Sequence, residues 1–102
     1  MSYPESYQEI RTRYPEVAQA YDALGEAAHR AGPLTERERR LVKLALAIGS
    51  GLEGAVHSHT RKALEAGLSP EEIRQVSVLA VTTLGFPAMV RALTWIDDVL
   101  EP

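Results

Sequence analysis

The sequence predicts an all-α fold. Capping-box patterns, each a Thr or Ser followed three residues later by Glu, begin at Thr35, Ser50 and Ser69. Apolar residues recur at spacings of three and four, the period of a helix that buries one face, and the alternation typical of strands is nearly absent. We therefore expect a small helical domain of five to six helices over residues 1–102, with residues 1–33 as an N-terminal helical extension and residues 34–100 as its core.

Composition narrows the class of protein. The 102 residues, 45% hydrophobic and 25% charged, suit one soluble globular domain. The absence of cysteine excludes thiol nucleophiles, cysteine zinc sites and disulfides. A net charge of −3 opposes binding to a phosphate backbone, so no nucleic-acid partner is expected. No signal-peptide pattern is present, and the longest uncharged stretch, residues 75–90, is shorter than the about 20 residues of a membrane span. We expect no membrane partner and a cytoplasmic location.

Proline and glycine set the limits of the first two helices. Residues 4–14 are expected to form a short separate helix, and Pro15 suits the first turn of a longer one. Gly32 and Pro33 end that second helix. Thr35 then caps a third helix, in which residues 41–48 are all apolar except for one lysine.

The second half of the chain repeats these signals. The sequence Gly-Ser-Gly at residues 49–51 is expected to end the third helix, and Ser50 to cap a fourth that ends near Ala66. Ser69 caps a fifth helix over residues 70–84. The sequence Gly-Phe-Pro then leads into a last helix, residues 88–100.

Two segments, residues 41–48 and 76–84, are apolar almost all the way round. Such helices are normally covered on most sides, and a chain of 102 residues has little interior to offer. We therefore expect a homo-oligomer with an apolar helical interface.

Two histidines lie on the predicted fourth helix and point in different directions. On a helical wheel His59 falls in the apolar stripe and is expected to point inward. It is interpreted either as a core histidine bonded to a backbone carbonyl or as a general acid/base, because burial can bring the pKa of an imidazole across neutrality. His57 falls on the opposite side with Glu53, one turn earlier. That pair is either a capping glutamate with an ordinary neighbour or a carboxylate that orients an imidazole.

No metal or cofactor is expected. His57 and His59 diverge by about 200° on the wheel and cannot reach one ion from the same helix without a partner elsewhere. The third histidine, His29, lies at a helix end where an imidazolium suits the helix dipole, and it is assigned no function.

Arg40 and Lys43 share one face at the start of the apolar helix. They are interpreted either as a group that holds the carboxylate of a small-molecule ligand or as a solvated first turn in which Lys43 extends its ammonium outward. Lys43 is the more informative residue because it interrupts an apolar run.

Four motifs follow one another in residues 34–92. A charged Leu-x-x-x-x-Arg-x-Leu stretch enters a Leu-Ala-Leu-Ala helix, and His-Thr-Arg-Lys-Ala-Leu-Glu-Ala-Gly, Ser-Pro-Glu-Glu-Ile and Gly-Phe-Pro-Ala come after it. In this order they resemble the carboxymuconolactone decarboxylase / alkylhydroperoxidase D-like family. The resemblance implies a helical fold of the alkylhydroperoxidase D-like type, assembled as trimers or hexamers with a site near subunit contacts.

The peroxidase branch of that family uses a Cys-x-x-Cys pair, a histidine four residues later and an upstream glutamate. Aligned on His59, the cysteine positions fall on Leu52 and Ala55 and the glutamate position on Arg40. Only the histidine is kept, so thiol peroxidase activity is not expected.

The decarboxylase branch needs no thiol or cofactor. The resemblance implies a lyase that holds a small carboxylate or lactone with Arg40 or Lys43 and moves a proton with His59, assisted by Glu53 or His57. The alternative is a catalytically inactive binding or structural oligomer, and a peroxidase that works without thiols is a third reading.

Overall fold

The computed structural model of the protein describes the backbone of residues 5–102 and the side chains of residues 8–102. The described chain is helical, which confirms the all-α prediction, and it divides into two units, residues 1–34 and 35–102. No helix of the described residues is long and apolar enough to cross a membrane.

The first unit contains two helices, α1 (Glu5–Arg13) and α2 (Pro15–His29). Pro15 opens α2 as predicted, and the expected start of α1 at residue 4 lies outside the described residues. Arg11 of α1 donates two hydrogen bonds, of 2.8 and 2.6 Å, to the carboxylate of Asp22 on α2. These bonds tie the two helices together at the surface.

The second unit contains four helices, α3 (Glu36–Ser50), α4 (Glu53–Glu65), α5 (Pro70–Leu79) and α6 (Phe86–Leu100), with a 3₁₀ turn (Ala80–Thr82) after α5. One core joins them. Its buried residues are Leu44, Ala47, Ile48, Val56, Ala63, Leu68, Ile73, Ala80, Ala92 and Ile96.

Two of the three predicted capping boxes are present. The Thr35 hydroxyl accepts a hydrogen bond from the Glu38 amide, and the Glu38 carboxylate accepts one from the Thr35 amide. Ser69 and Glu72 form the same reciprocal pair. The backbone amide of each cap residue lowers the pKa of its glutamate by stabilising the charged form, and Arg37 adds to this effect at Glu72.

The prediction that Ser50 caps α4 was wrong. Ser50 is the last residue of α3, and its hydroxyl donates to the Leu46 carbonyl at 2.9 Å. Gly51 ends α3 in the left-handed region with φ 67°, and Leu52 takes the N-cap position of α4 without a side-chain bond. Glycine adopts this backbone conformation at little energetic cost. Gly51 therefore terminates α3, and Ser50 remains inside the helix that it was expected to follow.

The last two helices also differ slightly from the prediction. α5 ends at Leu79, and the chain continues as the 3₁₀ turn where a longer helix was expected. α6 begins at Phe86, two residues before the expected start, and Gly85 precedes it with φ 99°. Arg74 of α5 donates to Asp97 and Glu101 of α6, at 2.9 and 3.0 Å, and these bonds raise the pKa of its guanidinium.

Both segments that are apolar all round leave part of their surface uncovered. Leu46 of α3 is 61% exposed and Leu79 of α5 is 64% exposed. An open apolar surface that we call the α3–α5 groove runs between the two helices and is lined by Leu41, Val42, Ala45, Val76, Leu79 and Leu84. A monomer therefore exposes a contiguous apolar face in its second unit.

Candidate functional site

Helices α4 and α6 bring three polar side chains together. Glu53 and His57 lie one turn apart on α4, and Asp98 lies in the last turn of α6. Ligand atoms of the three side chains all lie within 4.8 Å of one another. We call this group the Glu53–His57–Asp98 cluster.

The packing of α4 against α6 explains why these three side chains lie close together. α4 buries Val56, Thr60 and Ala63, and α6 buries Ala92 and Ile96 in the same core. Residues that flank these buried stripes face each other along the edge of the contact between the two helices. His57 is next to a buried position on α4, and Asp98 is two residues after one on α6.

The central contact of the cluster is a hydrogen bond of 3.0 Å between His57 Nε2 and Asp98 Oδ2. The carboxylate accepts, so the bond holds the imidazole in the tautomer with its proton on Nε2 and leaves Nδ1 as the acceptor. The His57 side chain is 23% exposed and that of Asp98 50%. The imidazole is therefore fixed in orientation and still open to a molecule arriving from solvent.

Burial of His59 is partial, less than its place in the apolar stripe of the helical wheel predicted. The side chain is half-buried, with its Nδ1 atom shielded from solvent. The wheel placed Thr60 on the polar side and Leu52 in the apolar stripe, whereas Thr60 is fully buried and Leu52 is exposed. The core direction of α4 is thus rotated toward Thr60, which moves His59 to the edge of the buried stripe.

Arg40 and Lys43 lie half-buried in the first half of α3. The next helix, α4, packs against α3 and carries Glu53 and His57 in its first half. The predicted anion-holding residues are thus on a different helix from the three members of the cluster.

The sequence analysis did not identify Asp98. Two consecutive aspartates, Asp97 and Asp98, stand in the last turn of α6, where a negative charge opposes the helix dipole. Asp97 is paired with Arg74 and Asp98 with His57. Two acidic residues at the end of a helix that disfavours negative charge suggest that each has a partner on another helix. This pattern could have identified Asp98 from the sequence.

The cluster also bears on metal binding. The expectation of no metal considered one ion held by His57 and His59 of a single helix. The structure presents another group, in which His57 is joined by Glu53 and by Asp98 from a second helix. An imidazole with two carboxylates is a donor set that divalent transition metals accept.

Comparison with known proteins places the chain in a family. A sequence model of the carboxymuconolactone decarboxylase family matches residues 15–98. An uncharacterised protein of Methanocaldococcus jannaschii is 30% identical over 95 residues, which cover 93% of this chain and 89% of that protein. An uncharacterised protein of Haemophilus influenzae is 36% identical over 59 residues, 58% of this chain and 52% of that protein, so the match spans about half of that relative.

A solved structure shows the same fold. The crystal structure of a carboxymuconolactone decarboxylase family protein from Legionella pneumophila superimposes with a TM-score of 0.75 at 23% identity, covering 92% of this chain and 87% of that one. The family match begins at Pro15, the first residue of α2, and reaches Asp98, so it includes every member of the cluster. The chain belongs to the carboxymuconolactone decarboxylase family.

Proposed function

We propose that the protein is a decarboxylase-like lyase that acts on a small carboxylate or lactone by acid–base chemistry, with His57 as the proton carrier. The observation that carries the proposal is the 3.0 Å hydrogen bond between His57 Nε2 and Asp98 Oδ2. A carboxylate that fixes the tautomer and direction of a solvent-accessible imidazole is a common arrangement for general acid–base catalysis.

The chemistry needs one proton at carbon. When the bond between the substrate carbon and its carboxylate breaks, carbon dioxide leaves and the electron pair remains on the carbon, delocalised into the neighbouring carbonyl. Protonated His57 gives a proton to that carbon and recovers one from solvent. Asp98 is a positioning residue that also stabilises the imidazolium, and Glu53 adds a second carboxylate on the same side.

Arg40 and Lys43 keep their proposed role of binding the substrate carboxylate. His59, expected from the sequence to carry the proton, is given no proton-transfer step in this proposal, because its Nδ1 is shielded from solvent. The absence of cysteine speaks against thiol peroxidase chemistry by this chain.

The proposed working form is a homo-oligomer, a trimer or hexamer, in the cytoplasm. The exposed α3–α5 groove supports self-association because Leu79, which lines it, is largely uncovered in a single chain, and so is Leu46 elsewhere on α3. Apolar faces of this kind form the core of subunit interfaces.

The test is solvent deuterium incorporation. The protein is incubated in D₂O with carboxymuconolactone and a panel of small carboxylic acids and lactones, and proton NMR follows loss of substrate and appearance of deuterium at carbon. The wild-type protein is expected to accelerate loss of the carboxylate with one deuterium added per turnover. Asp98→Asn is expected to lower kcat with little change in KM, and Asp98→Glu to restore part of the rate, since a carboxylate again faces His57.

Two outcomes would overturn the proposal. One is no acceleration by the wild-type protein with any compound of the panel, which would favour the inactive binding or structural alternative. The other is a wild-type rate in Asp98→Asn, which would show that the hydrogen bond between His57 and the Asp98 carboxylate does not contribute to catalysis. Glu65→Gln, an exposed change on α4, the helix that carries His57, is the matched control.

A further inference from the structure

We propose that the Glu53–His57–Asp98 cluster is a binding site for a divalent first-row transition-metal ion. The inference uses the geometry and charge of the cluster and does not rest on the proposed lyase activity. It concerns a site of three side chains from two helices, open at the protein surface.

The distances suit a metal. Ligands bound to zinc at about 2.0–2.2 Å in a tetrahedral arrangement lie roughly 3.3–3.6 Å from one another. His57 Nε2 and Asp98 Oδ2 are already 3.0 Å apart. The third donor atom lies within 4.8 Å of both, and because Glu53 is exposed, a change of side-chain rotamer brings its carboxylate closer without disturbing the core.

The charge of the cluster favours a cation. Two carboxylates lie close to one imidazole, so the group carries a net negative charge whether His57 is neutral or protonated. Asp98 also lies in the last turn of α6, which contains no basic residue of its own. The carbonyl end of a helix dipole adds further negative potential at that point. A divalent ion would offset both contributions at once.

The donor set indicates the class of ion. Imidazole suits zinc, iron, nickel and copper, whereas carboxylates alone suit magnesium, calcium and manganese. One nitrogen with two carboxylate oxygens favours a transition metal over magnesium or calcium. Three protein ligands also leave a coordination position open to water or to an anionic ligand.

Metal binding has a consequence for the lyase proposal. An ion on His57 Nε2 displaces the proton of that nitrogen and the hydrogen bond to Asp98. Metal binding and proton transfer by His57 are therefore mutually exclusive in one subunit, and the ion would act as an inhibitor of that chemistry.

The test is titration of untagged, chelator-treated protein with Zn²⁺ by isothermal calorimetry. One ion is expected to bind per chain. Glu53→Gln, His57→Gln and Asp98→Asn are each expected to weaken binding by at least about tenfold, since even supporting residues of metal sites have effects of that size. Glu65→Gln and His59→Gln are the matched controls, a carboxylate and an imidazole elsewhere on α4, and both are expected to bind as the wild type does.

A second readout locates the ion. In NMR spectra the ring signals of His57 should shift on addition of Zn²⁺, and far-UV circular dichroism should show that every variant is folded. The inference is overturned if the wild type does not bind Zn²⁺, if the three cluster variants bind like the wild type, or if His59→Gln is the change that removes binding. None of these results depends on whether the protein turns over a substrate.

Discussion

At the scale of single residues, the sequence identified two members of the cluster and missed the third. Glu53 and His57 are one helical turn apart, so their proximity follows from helix geometry alone. Asp98 comes from a helix 41 residues further along the chain than His57, and only the packing of α4 against α6 brings it within 3.0 Å. Long-range contacts of this kind depend on which face each helix turns toward its neighbour when the helices pack.

The burial of His59 was likewise difficult to predict from the sequence alone. A wheel built from hydrophobicity placed it inward, but the buried face of α4 includes Thr60, a polar residue that such a wheel counts as surface. One buried threonine is enough to rotate the expected core direction. The choice between the two histidines therefore required the structure.

The backbone conformation of Gly51 predicts how a substitution there changes the stability of the fold. Gly51 ends α3 with φ 67°, and a Cβ built there would lie 3.0 Å from Nη2 of Arg91, whose guanidinium stands 5.1 Å from the Trp95 ring centroid. Gly51→Ala is expected to lower the free energy of unfolding by about 1–2 kcal/mol, the cost of left-handed backbone for a residue with a side chain.

The matched control is Gly54→Ala, where a Cβ meets nothing within 4 Å and the backbone is helical. This change is expected to stabilise the protein by about 0.4–1 kcal/mol. Urea denaturation at one protein concentration measures both. Equal effects of the two substitutions would contradict the assigned role of Gly51.

At the scale of secondary-structure elements, the sequence correctly predicted the capping boxes at Thr35 and Ser69 but wrongly predicted one at Ser50. Thr35 and Ser69 follow a break and precede an apolar run, and both form capping boxes. Ser50 has the same spacing to a glutamate, but its hydroxyl bonds back to Leu46 inside α3. Whether a serine caps the next helix or ends the previous one depends on which backbone groups it reaches.

The Glu72 capping box predicts a dependence of stability on pH. The Ser69 amide and Arg37 lower the pKa of Glu72 in the folded state relative to the unfolded chain. A lowered pKa stabilises the fold above the unfolded value, about 4.3, and this stabilisation is lost as the pH falls through the folded value.

Glu72→Gln is therefore expected to lower the melting temperature at about pH 7, and the difference from the wild type should shrink as the pH approaches about 3. Thermal unfolding followed by circular dichroism across this range measures it. Glu71→Gln, on the same first turn of α5 but outside the capping box, should have a smaller effect at neutral pH. A difference that grows on acidification would contradict the assignment.

At the scale of the whole molecule, the all-α fold and the order of its elements were predictable because proline, glycine and capping residues mark the breaks between the helices. The apolar segments on α3 and α5 also indicated surfaces that one chain cannot cover, and both leave leucines exposed in the structure. The number of subunits depends on how those surfaces meet in space, which hydrophobicity alone does not encode.

Self-association through the exposed apolar surface of α3 and α5 is tested by placing charged residues on it. Leu46→Glu and Leu79→Glu place a carboxylate on residues that are 61% and 64% exposed in one chain. Folding of the chain should persist, whereas an apolar interface should not tolerate the charge. Size-exclusion chromatography with light scattering is expected to show oligomers for the wild type and smaller species for both variants.

The control for that experiment is Glu65→Lys, a surface charge change on α4. It should leave the mass of the assembly unchanged. A wild-type protein that is monomeric at micromolar concentration would contradict the proposed working form, and wild-type mass in both leucine variants would place the interface elsewhere.

In the proposed lyase, His57 is the group that carries the proton to the substrate carbon. The most direct measurement is kcat of His57→Gln beside that of His59→Gln, on the compound of the panel that the wild type turns over fastest. General acid–base groups contribute roughly 10²–10⁴ in rate, so His57→Gln is expected to lose at least about a hundredfold while His59→Gln keeps most of its activity. Full activity in His57→Gln, with the loss falling on His59→Gln, would contradict the account.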